Sequence, residues 1–214
     1  MTSVERAIDR LDWPSIEAQL NEEGCAVLPG VLDDGLIAEL LSLSSAWETT
    51  RLGVIEDLRK HLYERLVPTA NHWHAVRDVA DRYPATLDQW TAHVRGVSDD
   101  RIPPIFTRLR VDEHEALHQY GERAHAFPLQ LVAVLNEPGT DFNGGEFVLT
   151  EQRPRMQSRP IVLPLRRGDL GVIAVAHRPH KGAKGYYRVS LKHAISRVRS
   201  GERIGLELLL DDAQ

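Results

Sequence analysis

Two histidines and an arginine in the second half of the chain have the types and spacing of a metal site with an anionic ligand. His118 lies in a short apolar segment, His177 lies far along the chain, and Arg188 follows His177 by eleven residues. Two histidines and one carboxylate form the facial triad of non-haem iron, which leaves coordination positions open. An arginine fork grips a carboxylate through two parallel hydrogen bonds. The three residues therefore indicate an iron site with an anionic co-substrate.

The position where a third ligand is expected holds a tyrosine. Alternate residues of a strand point to the same side, so an acidic residue two positions after His118 would face the metal. The chain has Tyr120 there. Four alternatives stay open. The third ligand is the Tyr120 phenolate, whose pKa a metal could lower, or Glu122 brought back by a turn at Gly121. Otherwise water or an anion fills the position, or no metal binds.

A second motif overlaps the first histidine. The segment His114-Glu115-Ala-Leu-His118 has the H-E-x-x-H pattern of zinc hydrolases. On a helix, His114 and His118 would share one face and bind zinc, with Glu115 as general base. The segment lacks a helical apolar stripe, which argues against this distant alternative.

The composition is that of an ordinary globular protein. The chain has 214 residues, of which 42% are hydrophobic and 27% are charged. That length can bury a substantial core, and no apolar run is long enough to cross a bilayer. Cys25 is the single cysteine and lies in an apolar segment. It therefore predicts a buried structural thiol in a reducing, cytoplasmic compartment.

Charge is distributed unevenly along the chain. Residues 151–203 carry thirteen Lys or Arg and three Asp or Glu, whereas the net charge of the whole chain is −5. One interpretation is a basic face balanced by an acidic one. The other is a pocket that attracts a carboxylate or phosphate ligand.

The pattern of apolar residues changes near Pro103. Before it, helical spacing predicts helices over 14–23, after Asp33-Asp34, over 54–66 with an interruption at Pro68, and over 69–97 in two pieces broken near Pro84. Residues 25–28 predict a strand. After it, eight short strands are predicted, at 105–111, 116–120, 126–135, 145–149, 161–165, 170–176, 186–195 and 203–210.

This order predicts one α+β domain over residues 1–214. Residues 1–100 form mainly helical support, and residues 101–214 form the β core. Short, closely spaced strands with turn residues between them are typical of a sandwich or barrel. No internal repeat or low-complexity segment divides the chain.

The second half of the chain resembles a bacterial family of 2-oxoglutarate- and iron(II)-dependent oxygenases, in the neighbourhood of the prolyl hydroxylases and AlkB. The matching motifs are spread over about three quarters of the chain. These are Gly24-Cys-Ala-Val-Leu-Pro-Gly30, Phe127-Pro-Leu-Gln-Leu131, Glu137-Pro-Gly139, Asp141-Phe142, the long run from Gly144 to Arg159, Pro164-Leu165, His177-Arg-Pro179, Tyr187-Arg-Val189 and Ser196-Arg-Val-Arg-Ser-Gly201.

The resemblance implies a double-stranded β-helix, or cupin-like jelly roll, that binds iron(II) and 2-oxoglutarate. It implies iron held by His118 and His177, with Tyr120 in the third, catalytic position. It implies that Arg188 pairs with the distal carboxylate of 2-oxoglutarate, and that Arg108 and Gln130 help to bind the cofactor.

Three departures from the family pattern surround this site. The family has His-Gln-Asp where this chain has His118-Gln119-Tyr120, and an Arg-Tyr pair where this chain has Arg108-Leu109. The family's tyrosine commonly helps to hold 2-oxoglutarate. The segment between about 45 and 70 is also shorter than in the resembling family, where it helps to wall the pocket.

Two functions remain open. The first is an oxygenase that hydroxylates or otherwise oxidises a small molecule with an altered metal triad. The second is a repurposed scaffold that has lost iron and 2-oxoglutarate chemistry, as a binding protein or a non-oxidative enzyme. Family annotation leans toward repair of damaged nucleic acid, but the sequence lacks an aromatic and basic reading surface. A nucleic-acid partner is therefore not expected. The sequence does not predict an oligomeric state.

Overall fold

The computed structural model describes residues 2–45, 53–94, 103–120 and 126–210. Within these ranges the helices are α1 (Ser3–Asp9), α2 (Trp13–Glu23), α3 (Asp34–Ser45), α4 (Gly53–Ala75) and α5 (Leu87–Val94). The strands are β1 (Cys25–Leu28), β2 (Ile105–Arg110), β3 (Glu115–His118), β4 (Leu129–Val134), β5 (Phe142–Gly144), β6 (Phe147–Gln152), β7 (Arg159–Leu163), β8 (Leu170–Ala174), β9 (His177–Gly182), β10 (Gly185–Ile195) and β11 (Val198–Leu209).

The strands form two antiparallel sheets. The first has the order β1-β8-β4-β11-β2, with β5 also paired to β11. The second has the order β3-β10-β6-β7, with β9 paired to β10. Strands β4 and β8 are buried along their whole length, as expected for strands covered on both faces. The predicted α+β class is therefore confirmed.

Helix α2 begins and ends where the sequence predicts. The Asp12 side chain caps the helix by accepting a hydrogen bond from the Ser15 backbone N–H, and Pro14 occupies the first turn. Gly24 ends the helix with a left-handed φ of 75°, a conformation that disfavours residues with a Cβ. The chain then enters β1 directly, where burial raises the pKa of the Cys25 thiol to about 11. The prediction of a buried structural thiol is confirmed.

The predicted interruption at Pro68 is wrong. Helix α4 runs through this proline as far as Ala75. A proline inside a helix removes one backbone hydrogen bond at a cost of about 3 kcal/mol. Pro68 is exposed, whereas Leu66, Val67 and Ala70 around it are buried in the core. Tertiary packing of these neighbours offsets the local cost and keeps the helix continuous.

A buried ion pair joins the first half of the chain to the second sheet. Arg178 on β9 is fully buried and pairs with Glu151 on β6, while its Nη1 donates to the backbone oxygen of Asn21 in α2. The other carboxylate oxygen of Glu151 accepts a hydrogen bond of 2.6 Å from Arg153 Nε. Strand β9 was not among the predicted strands, because its sequence, His-Arg-Pro-His-Lys-Gly, has little apolar character.

Candidate metal centre

Three side chains meet between the two sheets. His118 ends β3, His193 lies on β10, and Glu207 lies on β11 of the opposite sheet. Antiparallel pairing sets His193 directly beside His118. One potential ligand atom from each residue lies within 4.8 Å of the others. Two imidazoles and one carboxylate are the donor set of a facial triad for non-haem iron(II). Within the described ranges, these three residues form a group of potential metal ligands.

The His118 imidazole is oriented by its own strand. Its Nδ1 lies 2.9 Å from the backbone oxygen of Ala116, which can only accept a hydrogen bond. Nδ1 therefore carries the proton, and Nε2 keeps a lone pair for a metal. This Nε2 lies 3.5 Å from Glu115 Oε1. The ring packs against His193, with centroids 4.2 Å apart.

Tyr120 is a hydrogen-bond donor within this cluster. Its hydroxyl donates to Glu207 Oε2 over 3.0 Å, and His193 Nε2 lies 3.4 Å from the same oxygen. Burial works to raise the pKa of Glu207, but the contacts with His193 and Tyr120 outweigh it and hold that pKa below its usual range. Glu207 is therefore a carboxylate at neutral pH, as a metal ligand must be.

The cluster contains buried polar atoms without a hydrogen-bond partner. Glu207 Oε1, His193 Nε2 and Glu115 Oε2 have no partner in the part of the chain that the structure describes. Burial and the neighbouring Glu207 charge raise the pKa of the Glu115 carboxyl. Unsatisfied buried polar atoms are rare and costly, so their concentration here points to a ligand. The residues fit a divalent metal ion.

Arg203 brings a buried positive charge to the same interior. It lies on β11 four residues before Glu207 and is 2% exposed. Its Nε donates to the backbone oxygen of Gly145 over 2.9 Å, but its Nη1 has no hydrogen-bond partner among the described residues. Burial lowers the pKa of Arg203 to about 10, against the opposing effect of Glu115 and Glu207. The guanidinium is therefore charged at neutral pH and has donors to offer a ligand.

A cavity of about 220 Å³ extends from Arg203. Its walls include Phe142, Phe147, Leu163 and Leu165. Arg203 and Glu146 are the charged residues of its lining, and the buried Arg203 guanidinium beside these apolar walls can bind a small anionic molecule. Phe147 also stacks on the His193 ring, with centroids 5.6 Å apart, so the cavity adjoins the metal-ligand cluster.

The alternation of β11 requires a small residue beside Arg203. Arg203, Gly205 and Glu207 share one face of the strand, because alternate residues point to the same side. A Cβ on Gly205 would lie 2.5 Å from Arg203 Nη1. The absence of a side chain at Gly205 therefore leaves space for the Arg203 guanidinium.

The structure distributes the sequence-predicted site residues over several places. His118 and Tyr120 lie in the cluster. Gln130 is fully buried on β4, and its side-chain oxygen and nitrogen have no hydrogen-bond partner in the described ranges. Arg108 on β2 instead contacts Glu202 at 3.2 Å and Ser44 at 3.1 Å. Glu122, the alternative third ligand, lies outside the described residues.

His177 and Arg188 form a separate pair. His177 begins β9, Arg188 lies on β10, and Arg188 Nη2 is 2.9 Å from His177 Nδ1. Among the described residues, the group of potential metal ligands is His118, His193 and Glu207, and His177 is not part of it. Both residues line a different cavity, of about 240 Å³, together with Arg77.

Sequence reasoning did not identify His193, Arg203 or Glu207 as site residues. One signal for two of them exists in the printed sequence. The segment Arg203-Ile-Gly-Leu-Glu207 places two charged residues on one face of an otherwise apolar strand. Charged residues are almost never buried unless they are paired or functional, so this pattern marks a site.

The zinc-hydrolase alternative is not supported by the local structure. The segment His114-Glu115-Ala-Leu-His118 contains β3, a strand, rather than a helix. A strand does not bring residues four apart onto one point, so His114 and His118 cannot act as the motif requires.

Among the described helices, none is long and apolar enough to span a membrane.

Two solved structures of oxygenases have a fold similar to that of this chain. A 2-oxoglutarate–Fe(II) oxygenase family oxidoreductase from Burkholderia pseudomallei has a TM-score of 0.54 at 16% identity, covering 94% of this chain and 90% of that chain. A prolyl 4-hydroxylase from Phytophthora capsici has a TM-score of 0.57 at 13% identity, covering 98% and 65%. The predicted double-stranded β-helix is confirmed by these similarities, which at such identity concern the fold alone.

Similarity in amino-acid sequence shows which family the chain belongs to. An uncharacterized protein of Mycobacterium tuberculosis, found in strains H37Rv and CDC 1551, is 38% identical over 162 residues, covering 75% of this chain and 69% of the relative. Residues 47–213 match a family model described as "Oxygenase, catalysing oxidative methylation of damaged DNA". The resemblance inferred from the sequence is confirmed, and with it the expectation of an oxygenase with a 2-oxoglutarate–iron(II) fold. The chain belongs to this oxygenase family.

Proposed function

We propose that this protein is an iron(II)- and 2-oxoglutarate-dependent oxygenase in which His118, His193 and Glu207 hold the metal and Arg203 binds the distal carboxylate of 2-oxoglutarate. The observation that carries the proposal is the buried group of two imidazoles and one carboxylate, with ligand atoms within 4.8 Å of one another. The unsatisfied Nη1 of Arg203 supports the second half.

In this proposal, the carboxylate ligand is supplied by Glu207 on β11 instead of by position 120, which holds Tyr120. The family pattern has an aspartate at this place, and this chain supplies a carboxylate from β11 instead. Tyr120 donates a hydrogen bond to that carboxylate at 3.0 Å, which fixes its orientation. The phenol thus supports the third ligand without itself being one.

The second departure from the family pattern, Leu109, lies next to the proposed 2-oxoglutarate anchor. Leu109, where the family has a tyrosine, is the cross-strand partner of Arg203 in the pairing of β2 and β11. Residues directly opposite in an antiparallel pair have neighbouring side chains. The position that commonly helps to hold 2-oxoglutarate in the resembling family therefore adjoins Arg203, which supports this arginine as the anchor.

The chain's own residues would prepare the site in three ways. The imidazoles of His118 and His193 and the Glu207 carboxylate would bind iron(II) on one side and leave the other side open. Arg203 would orient 2-oxoglutarate through charge-assisted hydrogen bonds in the adjoining cavity. Phe147 and its apolar neighbours would limit access of water. With iron bound, dioxygen and 2-oxoglutarate would supply the oxidising power, and 2-oxoglutarate would leave as succinate and carbon dioxide.

The substrate is proposed to be a small molecule. The family description names damaged DNA, so the two classes need a direct comparison. Succinate production should be measured with a panel of small molecules and with a single-stranded oligonucleotide carrying methylated bases. Turnover above the substrate-free rate with a small molecule alone supports the proposal, and turnover with the oligonucleotide alone replaces it with the nucleic-acid substrate.

The metal assignment is tested by two matched alanine variants. Anaerobic calorimetry should measure iron(II) binding to the wild type, His193→Ala and His177→Ala. We expect His193→Ala to lose iron binding and His177→Ala to retain it. The reverse result would assign the iron site to His177, and an intact wild-type fold without iron binding would favour a repurposed scaffold.

A further inference from the structure

A second cavity lies away from the cluster that we assign to iron. It has a volume of about 240 Å³ and is enclosed by the end of α4, the turn between β8 and β9, and strand β10. His74 and Arg77 line it from the α4 side, and His177 and Arg188 line it from the sheet. We call it the Arg77–Arg188 pocket. Its remaining described lining is apolar or aromatic, and includes the buried Phe127.

Among the described lining residues of this pocket, the charged side chains are two guanidiniums, those of Arg77 and Arg188, and none is acidic. Two imidazoles, those of His74 and His177, line it beside them. Burial and then the Arg188 charge lower the pKa of Arg77. Burial and then the Arg77 charge lower the pKa of His177. The Arg188 guanidinium therefore disfavours the charged state of Arg77, and an anion bound between them would relieve that repulsion.

Hydrogen bonds hold the wall of the pocket that contains His74 and Tyr83. His74 Nδ1 lies 2.9 Å from the backbone oxygen of Asp81, and its Nε2 lies 3.3 Å from the Tyr83 hydroxyl. That hydroxyl donates to the backbone oxygen of Ala126 over 2.7 Å. These contacts fix one wall of the pocket. A site with fixed donors loses little side-chain entropy when it binds a ligand.

The two basic pockets differ in position and access. Arg203 is buried between the sheets beside the metal-ligand cluster, whereas Arg188 is exposed and Arg77 is partly buried at the protein surface. An anion in the Arg77–Arg188 pocket is thus reachable from solvent without entering the barrel. His177 and Arg188 also belong to the strongly basic region of residues 151–203, which has thirteen basic and three acidic residues.

We propose that the Arg77–Arg188 pocket binds an oxyanion, a phosphate or carboxylate group, at a site distinct from the 2-oxoglutarate site. Planar guanidiniums match the geometry of both groups, and an apolar wall strengthens their attraction by lowering the local dielectric. The proposal does not depend on iron chemistry, because the pocket contains none of the proposed metal ligands.

Calorimetry on the metal-free protein tests this binding. Inorganic phosphate and succinate should be titrated separately into the wild type, Arg77→Gln, Arg188→Gln and Arg166→Gln. Arg166 is an exposed arginine of the same basic region outside the pocket and is the matched control. We expect the better-bound anion to bind at least about tenfold more weakly to the two pocket variants, and equally to the control. The unfolding midpoint of each variant verifies its fold.

Comparison with 2-oxoglutarate separates this proposal from the proposed function. Binding of 2-oxoglutarate to the iron-loaded protein should be followed by visible absorption in Arg188→Gln and in Arg203→Lys. We expect Arg188→Gln to weaken only the phosphate or succinate binding, and Arg203→Lys to weaken only the 2-oxoglutarate binding. Loss of 2-oxoglutarate binding in Arg188→Gln would make this pocket the cofactor site and overturn the inference. Equal binding of phosphate and succinate by the wild type and both pocket variants would also overturn it.

Discussion

Two groups of buried charged residues in the described part of the chain have their hydrogen bonds satisfied to very different degrees. In the Arg178–Glu151 pair, both oxygens of Glu151 accept hydrogen bonds from arginines, and Arg178 Nη1 donates to backbone oxygens. Only the Nε of that arginine lacks a partner in the described residues. In the His118–His193–Glu207 cluster, two side-chain atoms, His193 Nε2 and Glu207 Oε1, have no hydrogen-bond partner among the described residues, and neither has Nη1 of the nearby Arg203.

This difference in hydrogen bonding separates charged residues that stabilise the fold from charged residues that bind a ligand. A buried ion pair completed by the chain itself joins α2 to the second sheet and requires no ligand. A buried cluster with unsatisfied atoms costs stability that only a ligand can offset, because each such atom has lost its water. Removal of a charge should therefore affect folding in the first cluster and ligand binding in the second.

The largest effect on stability is expected from Arg178→Met. The substitution leaves the Glu151 carboxylate buried with only Arg153 as a charged partner, which should lower the free energy of unfolding by about 3–5 kcal/mol. Urea unfolding monitored by circular dichroism measures the change. Arg153→Met is the control, because Arg153 is partly exposed and its loss leaves the fully buried pair intact. A loss below that of the control would show that Arg178 is not structurally required.

Glu207→Gln should remove iron binding with little effect on the fold. The amide keeps the shape of the side chain but is a poor ligand, so we expect the affinity for iron(II) to fall by at least about 100-fold. Anaerobic calorimetry measures it. Glu202→Gln on the same strand, whose side chain is half-buried and pairs with Arg108 and Arg110, is the control. Unchanged iron affinity in Glu207→Gln would contradict the proposed triad.

Arg203→Lys should weaken 2-oxoglutarate binding and leave iron binding unchanged. Lysine keeps the charge but cannot form two parallel hydrogen bonds to a carboxylate, so the dissociation constant should rise by about 30-fold. Titration of the iron-loaded protein, followed by visible absorption, measures it. Arg199→Lys, an exposed arginine of the same strand, should behave as the wild type. Equal effects in both variants would remove Arg203 from the cofactor site.

Tyr120→Phe should have a smaller and pH-dependent effect. Removal of the hydroxyl removes a donor that holds the pKa of Glu207 down, so that pKa should rise and the acid limit of iron binding should move to higher pH. At neutral pH we expect affinity to fall by about tenfold. The measurement is iron binding from pH 5 to pH 8, roughly the range in which histidine and perturbed carboxyl groups titrate. Tyr186→Phe is the exposed control.

The alternative role of Tyr120 as a direct ligand gives a different result. Complete loss of iron binding in Tyr120→Phe, together with loss of a phenolate absorption band in the oxidised protein, would identify the tyrosine as the third ligand. Retained but weaker binding supports Glu207 in that position.

The smallest expected effect is a stabilisation of the metal-free protein by Glu115→Gln. Burial raises the pKa of Glu115, so its ionisation disfavours the folded state once the pH exceeds the ordinary pKa of a glutamate. The glutamine variant should melt about 2–4 °C higher at neutral pH. The difference should vanish as the pH falls below that ordinary pKa, where the carboxyl is protonated in both states. A lower melting temperature at neutral pH would show that the charge is favourable where it lies.

The sequence predicted the elements of the fold more completely than the site. Short apolar runs between turn residues located most of the second-half strands, and Pro14 and Gly24 located the two ends of α2. Pro68 misled the prediction because local propensity gives no information about the core contacts that keep α4 continuous. Strand β9 was not predicted because its side chains are mostly polar, and only its pairing with β10 identifies it as a strand.

At the site, the sequence identified His118 and Tyr120 but could not decide their companions. Two histidine–arginine pairs follow one another along the chain, His177 with Arg188 and His193 with Arg203, at nearly the same spacing. Spacing alone does not distinguish them. The register of β10 against β3 does, because it sets His193 beside His118.

The sequence by itself determined the family and the fold class, because both follow from long motifs and from apolar periodicity, which are properties of the chain read in order. The tertiary structure decided which charged residues share one buried space. Glu207 reaches the histidines only because β11 of one sheet faces β3 and β10 of the other, and Arg203 follows it on the same face of the strand. Such proximity depends on how the sheets pack, which sequence spacing does not specify.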